Sequence, residues 1–337
     1  MIPHADLEAI TELAEADLAA LRGQRLLITG GTGFVGTWLL AALHHADARM
    51  GLDLRVTVLT RSPGAFAERQ PALGAWSELV EGDVTAVPDV GQVDAVIHAA
   101  TPASAAFNDE HPDLMRATIV DGMRSVLAAT APSGAIPFLF TSSGAVYGPQ
   151  PPELERIPED FEPAPGAIEA RNAYALGKRD AEAIALAADG PSLRLARLFA
   201  FAGPLLPLDA HFAIGNFIGD ALAGRTIRVA GDGTAVRSYL YAGDMVAQLL
   251  AVLVRGTPRR AYNVGSDEPI DIAALARLVA DTVDPACTVE ITGLGPGQLP
   301  TGAGSRYIPD MTRMRNELGL TPTVPLDEAI RRSALAA

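Results

Sequence analysis

Tyr174 and Lys178 stand four residues apart in Asn172-Ala173-Tyr174-Ala175-Leu176-Gly177-Lys178, a spacing that puts both side chains on one face of a helix. An ammonium near a phenol favours the phenolate and lowers its pKa. Such a pair can exchange a proton with a hydroxyl or a carbonyl. Alone, it is usually no more than a solvated helix face. It gains weight here from Thr141-Ser142-Ser143, a hydroxyl cluster closing an apolar run, and from three glycines near the start of the chain.

Those glycines, Gly30, Gly33 and Gly36, follow the apolar stretch Arg25-Leu26-Leu27-Ile28-Thr29 and lead into Phe34, Val35 and Trp38-Leu39-Leu40. The pattern reads as strand, tight turn and helix. One glycine permits the turn, one lets backbone approach a diphosphate, and one lets the helix pack close to the strand. The first helical amides, at Phe34 and Val35, then face the phosphates with the positive end of the helix dipole. A glycine pattern alone is weak; its placement between a strand and a helix makes it a dinucleotide site. A nicotinamide held there would exchange a hydride while Tyr174 exchanges the proton.

The elements that position these groups alternate. Strands are expected at 54–60, 79–84, 93–100 and 137–143, with helices after the glycine turn, over 111–130 and over 172–188. Nearly continuous apolar strands between helices indicate a parallel sheet covered on both faces. Ligands lie at the carboxyl ends of such strands, where the glycine turn, Ala99-Ala100-Thr101 and Thr141-Ser142-Ser143 all fall. Small Ala99, Ala100 and Thr101 admit the cofactor. Asp83, with Val84 beside it, is placed to reach the adenine edge. The second strand ends in Arg61 rather than an acid. A carboxylate there would bind the ribose hydroxyls of NAD, whereas a guanidinium suits a 2′-phosphate. NADP is therefore expected, with NAD as the other possibility. His98 lies within an apolar strand and reads as a core histidine, and Cys287 as a small packing residue. No metal site is expected.

Bulk properties set the frame. The 337 residues, 49% hydrophobic, suffice for a large α/β unit and a smaller lobe. A formal net charge of −14 disfavours nucleic acid and anionic membranes as partners. A single cysteine excludes an internal disulfide and fits a reducing compartment. The richest apolar run, Met245 to Val254, contains Gln248 and falls short of the roughly 20 residues a span needs. The acidic N-terminus lacks the basic and apolar regions of a signal peptide, so a cytoplasmic protein is expected. Residues 5–21 place Leu7, Ile10, Leu13, Ala14, Leu18 and Leu21 at helical spacing and predict one amphipathic packing helix.

The combination Thr29-Gly30-Gly31-Thr32-Gly33-Phe34-Val35-Gly36, Ser142-Ser143-Gly144-Ala145-Val146-Tyr147-Gly148 and Tyr174-x-x-x-Lys178 resembles the extended short-chain dehydrogenases/reductases, specifically their nucleotide-sugar epimerase/dehydratase group. The likeness covers nearly the whole chain. It implies Tyr174 as acid/base, Lys178 as its electrostatic partner and ribose contact, and Ser143, with Ser142, on a sugar oxygen. By the same resemblance Arg237, in Gly231-Asp232-Gly233-Thr234-Ala235-Val236-Arg237, grips a sugar-nucleotide diphosphate. Arg306, in Arg306-Tyr307-Ile308-Pro309-Asp310, is a second such contact, and Asn216 lines the nucleotide pocket. A homodimer through the helices near 111–130 and 172–188 is also implied.

Two departures narrow the activity. Dehydratases of this group resemble Thr-Asp-Glu before Val-Tyr-Gly, and decarboxylating relatives carry a glutamate there; this chain has Ser143-Gly144-Ala145. Ala200, in Arg197-Leu198-Phe199-Ala200-Phe201-Ala202-Gly203-Pro204, stands where many relatives place a substrate-touching asparagine. The expected architecture is a doubly wound, Rossmann-like parallel sheet from residues 1–202 plus about 238–263. A smaller α/β substrate lobe comes from 204–236 and 265–337, with Leu205–Leu208 and the Gly/Pro-rich 293–297 as loops over the cleft. The expected function is oxidation or reduction at C4 of a nucleoside-diphosphate sugar. A 4-keto-6-deoxy-sugar reductase leads, a 4-epimerase with retained cofactor is the alternative, and a catalytically silent NADP sensor is a third possibility that leaves Tyr174 and Lys178 without a use.

Overall fold

The computed structural model describes residues 1–101, 105–169, 172–210, 212–293 and 305–337. Six strands, separated by helices everywhere except between β3 and β4, occupy the first two-thirds of the chain: β1 (Arg25–Thr29), β2 (Arg55–Thr60), β3 (Glu78–Glu81), β4 (Ala95–His98), β5 (Pro137–Ser143) and β6 (Ser192–Leu198). With β11 (Arg260–Val264) they form one sheet of order β11-β6-β5-β4-β1-β2-β3, every neighbouring pair parallel. Leu26, Leu27 and Ile28 of β1 and Phe138, Leu139 and Phe140 of β5 are fully buried, as strands covered on both faces must be. The order reverses between β1 and β4, which opens a crevice beyond their carboxyl ends. This is the doubly wound, Rossmann-like sheet that the sequence implies.

Helices cover both faces. On one lie α3 (Phe34–Met50) and α10 (Ala242–Arg255). Gly36 to Leu43 of α3 and Ala242 to Leu253 of α10 are buried all round, because these helices lie between the sheet and an outer layer. That burial explains why 245–254 is the most apolar run in the chain. On the other face lie α7 (Pro112–Thr130) and α8 (Ala173–Ala187). Gly177 of α8 lets the two approach closely, since a Cβ there would stand 3.1 Å from Ile119 Cδ1 and 3.4 Å from the Arg116 Cα.

The N-terminal segment corrects an expectation. It is two helices, α1 (His4–Leu13) and α2 (Glu15–Ala20), broken at Ala14 (φ −107°, ψ 18°). Both pack on α3 and α10. Two acids expected on a wet face are buried instead: Asp6 meets the Tyr241 hydroxyl and Arg332, and Asp17 accepts from Arg255 Nε at 2.7 Å. Helices α4 (Pro63–Arg69), α5 (Pro71–Trp76) and α6 (Ala105–Glu110) complete the first half.

The remaining strands are short: β7 (Phe201–Ala202), β8 (Ile227–Val229), β9 (Val236–Arg237), β10 (Leu240–Tyr241), β12 (Ile270–Asp271), β13 (Val289–Ile291) and β14 (Arg306–Tyr307). They form a β7–β10 pair, a β8–β13 pair and a three-stranded β12-β9-β14 sheet. Helices α9 (Ala213–Leu222), α11 (Ile272–Val283) and α13 (Leu326–Leu335) pack on one another beside them. Helix α12 (Thr312–Leu318) instead packs on β11 and α10. Leu205–Leu208 lies outside helix and strand, as expected of a loop. The helix face at Gly215 and Gly219 lies against the carbonyls of Pro207 and Leu208, which fixes that segment to α9. The expected 293–297 loop lies outside the described residues beyond Gly293.

Candidate active site

The glycine turn sits at the crevice, and its geometry divides the work among the three glycines. Gly30 has φ +73°, and a Cβ there would strike the backbone of Ala99 and Ala100. Close passage of β1 and β4 therefore requires both a left-handed residue and small neighbours. A Cβ on Gly36 would strike the Gly30 carbonyl and Gly31, so its lack of a side chain seats α3 on the turn. Gly33 is different. A Cβ there would meet only the Gly30 carbonyl, at 3.6 Å, which leaves open space over the N-terminus of α3, where Phe34 and Val35 begin the helix. This arrangement fits a diphosphate on the helix end.

The second and third strands end beside one another. Arg61 is exposed just past β2, and its positive charge contributes to lowering the pKa of Asp83. The larger contribution comes from Thr85, whose backbone N and Oγ1 both donate to Asp83 Oδ1, at 2.9 and 2.6 Å. This Asx-type turn ends β3 at Glu81, short of the expected residue 84; Val84 turns into the core. The fourth strand likewise ends early, at His98. Ala99 N still donates to Thr29 O at 3.0 Å, and Ala100 N to Thr29 Oγ1 at 3.3 Å. His98 is buried, with Nδ1 2.7 Å from Thr29 Oγ1. Burial, and secondarily the charge of Lys178, push its pKa down to about 3. It is a neutral core residue.

Tyr174 and Lys178 project from the first turns of α8. Asn172 caps that helix by accepting from Ala175 N at 3.1 Å, and Tyr174 N donates to Asn108 Oδ1 at 2.9 Å. Lys178 is 2% exposed. Its Nζ donates to Thr101 Oγ1 at 2.8 Å and to Thr141 O at 2.7 Å. It also lies 4.7 Å from the centre of the Phe140 ring and 5.8 Å from that of Tyr174. Burial pushes its pKa down to about 7, partly opposed by Glu182. Burial likewise raises Tyr174, while hydrogen bonding to Ser143 pulls it back. The phenol is therefore not activated as the spacing alone suggests: desolvation outweighs the Ser143 contribution.

A depressed lysine pKa gives a signed expectation. Without ligand, Lys178 loses its proton as the pH rises through about 7. An anionic cofactor and ribose hydroxyls seeking donors favour its charged form. Cofactor binding at pH 8 is expected to take up close to one proton, measured by calorimetry in buffers of different ionisation heat. Lys178→Met should abolish that uptake, and equal apparent heats in all buffers for the unaltered protein would refute the assignment.

Strand geometry separates two residues that the sequence reading grouped together. Consecutive strand residues face opposite sides. Ser143 is 8% exposed and caps the short turn Gly144–Tyr147, accepting from Ala145 N at 3.1 Å. It lies close enough to influence both Tyr174 and Tyr307 by hydrogen bonding. Ser142 faces the other way and donates to Glu182, which forms a buried, two-point ion pair with Arg197 (3.0 and 2.7 Å). Its hydroxyl is thus committed to the interior and does not converge with Ser143.

The two arginines part in the same way. In the parallel β9–β14 pair, Arg237 is opposite Tyr307 and Arg306 is opposite Val236, so Arg237 and Tyr307 share a face that Arg306 does not. Arg237 Nη1 donates to Val236 O and Ser305 O, at 2.8 and 3.1 Å. The Arg306 Nε is buried without a hydrogen-bond partner. Asn216 is half-buried on α9. A cavity of about 660 Å³ opens near Ser143 and Tyr174, lined by Asn108, Asp109, Ala145, Gly148, Glu169 and Asn172 among others. Among the described residues, the His4–Glu8–His45 cluster has spacing suited to a cation. It lies where α1 meets α3, away from the cleft, and Arg49 stands 3.9 Å from Glu8. Cys287 lies at the β8–β13 edge, its Sγ 2.9 Å from Arg225 O.

A glycine turn under a switch-point crevice, with a phenol, a lysine and a serine at its far wall, defines a nucleotide-cofactor enzyme of the short-chain dehydrogenase type. The chain belongs to the NAD dependent epimerase/dehydratase family, whose model matches residues 26–265. It is 30% identical over 314 residues to UDP-glucuronic acid decarboxylase 5 of Arabidopsis thaliana, covering 91% of this chain and 87% of that one. Among solved structures it resembles the UDP-glucose 4-epimerase of Thermotoga maritima (TM-score 0.75, 22% identity, 93% of this chain and 98% of that one). It also resembles an NAD-dependent NDP-hexosamine 5,6-dehydratase of tunicamycin biosynthesis (TM-score 0.74, 25% identity, 93% and 97%). Among the described residues no helix is long and apolar enough to cross a membrane.

Proposed function

We propose that this enzyme moves a hydride at C4 of a nucleoside-diphosphate sugar and acts as a 4-keto-6-deoxy-sugar reductase. The observation that carries the reading is the end of β5. Ser143 stands beside Tyr174, but the next two positions are Gly144 and Ala145, where the resemblance places the carboxylates of dehydratases and decarboxylases. Elimination and decarboxylation need an acid or base at that point; proton exchange at a single oxygen needs only the phenol. This favours a reaction other than that named for its decarboxylase relatives, which share about 30% identity with it.

A bound nicotinamide supplies the hydride. The chain's own groups do the rest. Gly30, Gly33, Gly36 and the first amides of α3 seat the diphosphate, while Ala99, Ala100 and Thr101 leave room along the crevice. Lys178 donates to a ribose hydroxyl and keeps the region around Tyr174 positive. Ser143 donates to the sugar oxygen at C4, and Tyr174 gives that oxygen its proton. Arg237 binds the substrate diphosphate, with Asn216 nearer the base. Residues 204–236 and the 265–337 segment other than α12 are assigned to substrate binding. Helices α7 and α8 are proposed as a homodimer interface, supported by Leu114, 55% exposed on α7; sedimentation of Leu114→Glu as a monomer would support this.

A 4-epimerase is the second reading, favoured by the lack of carboxylates at 144 and 145, which suits it equally. The two differ in stoichiometry. A reductase consumes one NADPH per 4-keto sugar. An epimerase interconverts UDP-hexoses with no net change in cofactor absorbance, and that outcome would reverse the ranking. Release of carbon dioxide from UDP-glucuronate would refute both.

NADP is the proposed cofactor, on the strength of Arg61 and the lack of an acid at the end of β2. Arg61→Ala is expected to weaken NADPH binding about 10-fold or more, as loss of a charge-assisted contact should, and to leave NADH binding unchanged. Equal losses for both cofactors would remove the basis for the preference.

A further inference from the structure

Position 144 holds more than the absence of a carboxylate. A Cβ built on Gly144 would strike the Tyr307 hydroxyl and would stand 2.7 Å from the Phe199 ring. The space that a side chain at 144 would use is therefore filled, and filled by a second phenol. Tyr307 comes from β14, in register with Arg237. Its ring lies on Phe199, with centres 4.6 Å apart and planes at 31°, and Phe199 in turn meets Tyr147. This aromatic stack holds the hydroxyl over Gly144, one residue along the chain from Ser143.

We propose that Tyr307 is a positioning residue of the catalytic centre: lodged over Gly144, its hydroxyl donates to Ser143 and so orients the Ser143 hydroxyl toward Tyr174. The inference rests on Tyr174 being the acid/base. Two features make Tyr307 the donor. Burial, and then negative charge on Tyr174, both hold it protonated. A hydroxyl that receives one hydrogen bond becomes a better donor of the next. Until a sugar oxygen takes the one Ser143 proton, the chain Tyr307–Ser143–Tyr174 stabilises the Tyr174 phenolate. It also makes glycine necessary at 144, since any side chain there must expel Tyr307.

Tyr307→Phe keeps the ring on Phe199 and removes only the oxygen. Tyrosine-labelled protein loaded with oxidised cofactor would be titrated by ring-carbon NMR, with Tyr174→Phe identifying the Tyr174 resonance. The expected result is a Tyr174 titration moved to higher pH, and a limb of the pH–rate profile moved in the same direction. A three- to tenfold fall in kcat, roughly the loss of one hydrogen bond, should then be recovered by raising the pH in the direction that needs the phenolate. Gly144→Ala should reproduce the shift and should cost less when added to Tyr307→Phe than alone. An unmoved titration, or a loss equal at every pH, overturns the proposal. If no nucleotide sugar is turned over but the titration still moves, the functional reading fails and the Tyr307 network stands.

Discussion

Tyr174→Phe is expected to lower turnover by about 10²- to 10⁴-fold, the usual worth of a positioned general acid or base, with cofactor affinity unchanged. The substitution removes one oxygen and leaves the ring where α8 holds it. The cap at Asn172, the bond from Tyr174 N to Asn108, and the contacts of Lys178 with Thr101 and Thr141 do not involve that oxygen. Steady-state rates with a nucleotide sugar, alongside a fluorescence titration of the cofactor, separate the two effects. Turnover near that of the unaltered protein would mean that the proton comes from elsewhere. Loss of cofactor binding in parallel would mean that the phenol has a structural role.

Gly36→Val should do the opposite, acting through binding and stability before any chemistry. The new side chain would meet the Gly30 carbonyl and Gly31, all of it backbone with no rotamer to change. Relief requires α3 to lift from the turn, and α3 carries Trp38, Leu39, Leu40 and Leu43, all fully buried. Overpacking of this kind costs typically about 1–3 kcal/mol, and more where backbone must move. We expect cofactor binding to disappear and the melting temperature to fall by several degrees. Gly64→Ala is the control: it lies in α4 with nothing within 4 Å of a new Cβ, and should be neutral or slightly stabilising. Cofactor binding by Gly36→Val at the affinity of the unaltered chain would break the assignment of the turn.

What was legible in the sequence followed from local rules. β5 occupies residues 137–143 as the apolar run predicts, because a strand buried on both faces shows its limits in composition. The glycine spacing and the i,i+4 pair on α8 are likewise local. The missed features depend on partners distant in the chain. Asp6 and Asp17 read as solvated until Tyr241, Arg332 and Arg255 arrive from the far end. Tyr307 sits in a two-residue strand too short to show any period, so nothing in its own neighbourhood announces that it reaches Ser143. The depressed pKa of Lys178 needs the burial that only the assembled sheet provides. Ser142 is a different kind of miss. The alternation of strand side chains already separates it from Ser143, and that signal was available.

Deuterium transfer tests the central claim most directly. The enzyme would be given a 4-keto-6-deoxy nucleotide sugar and NADPH deuterated at the transferred position, and the sugar product examined by mass spectrometry and NMR. The account predicts deuterium on sugar C4 in step with cofactor oxidation, and the same transfer slowed about 10²- to 10⁴-fold with Tyr174→Phe. An unlabelled product with the cofactor unconsumed, or a pentose formed from UDP-glucuronate with release of carbon dioxide, would contradict it.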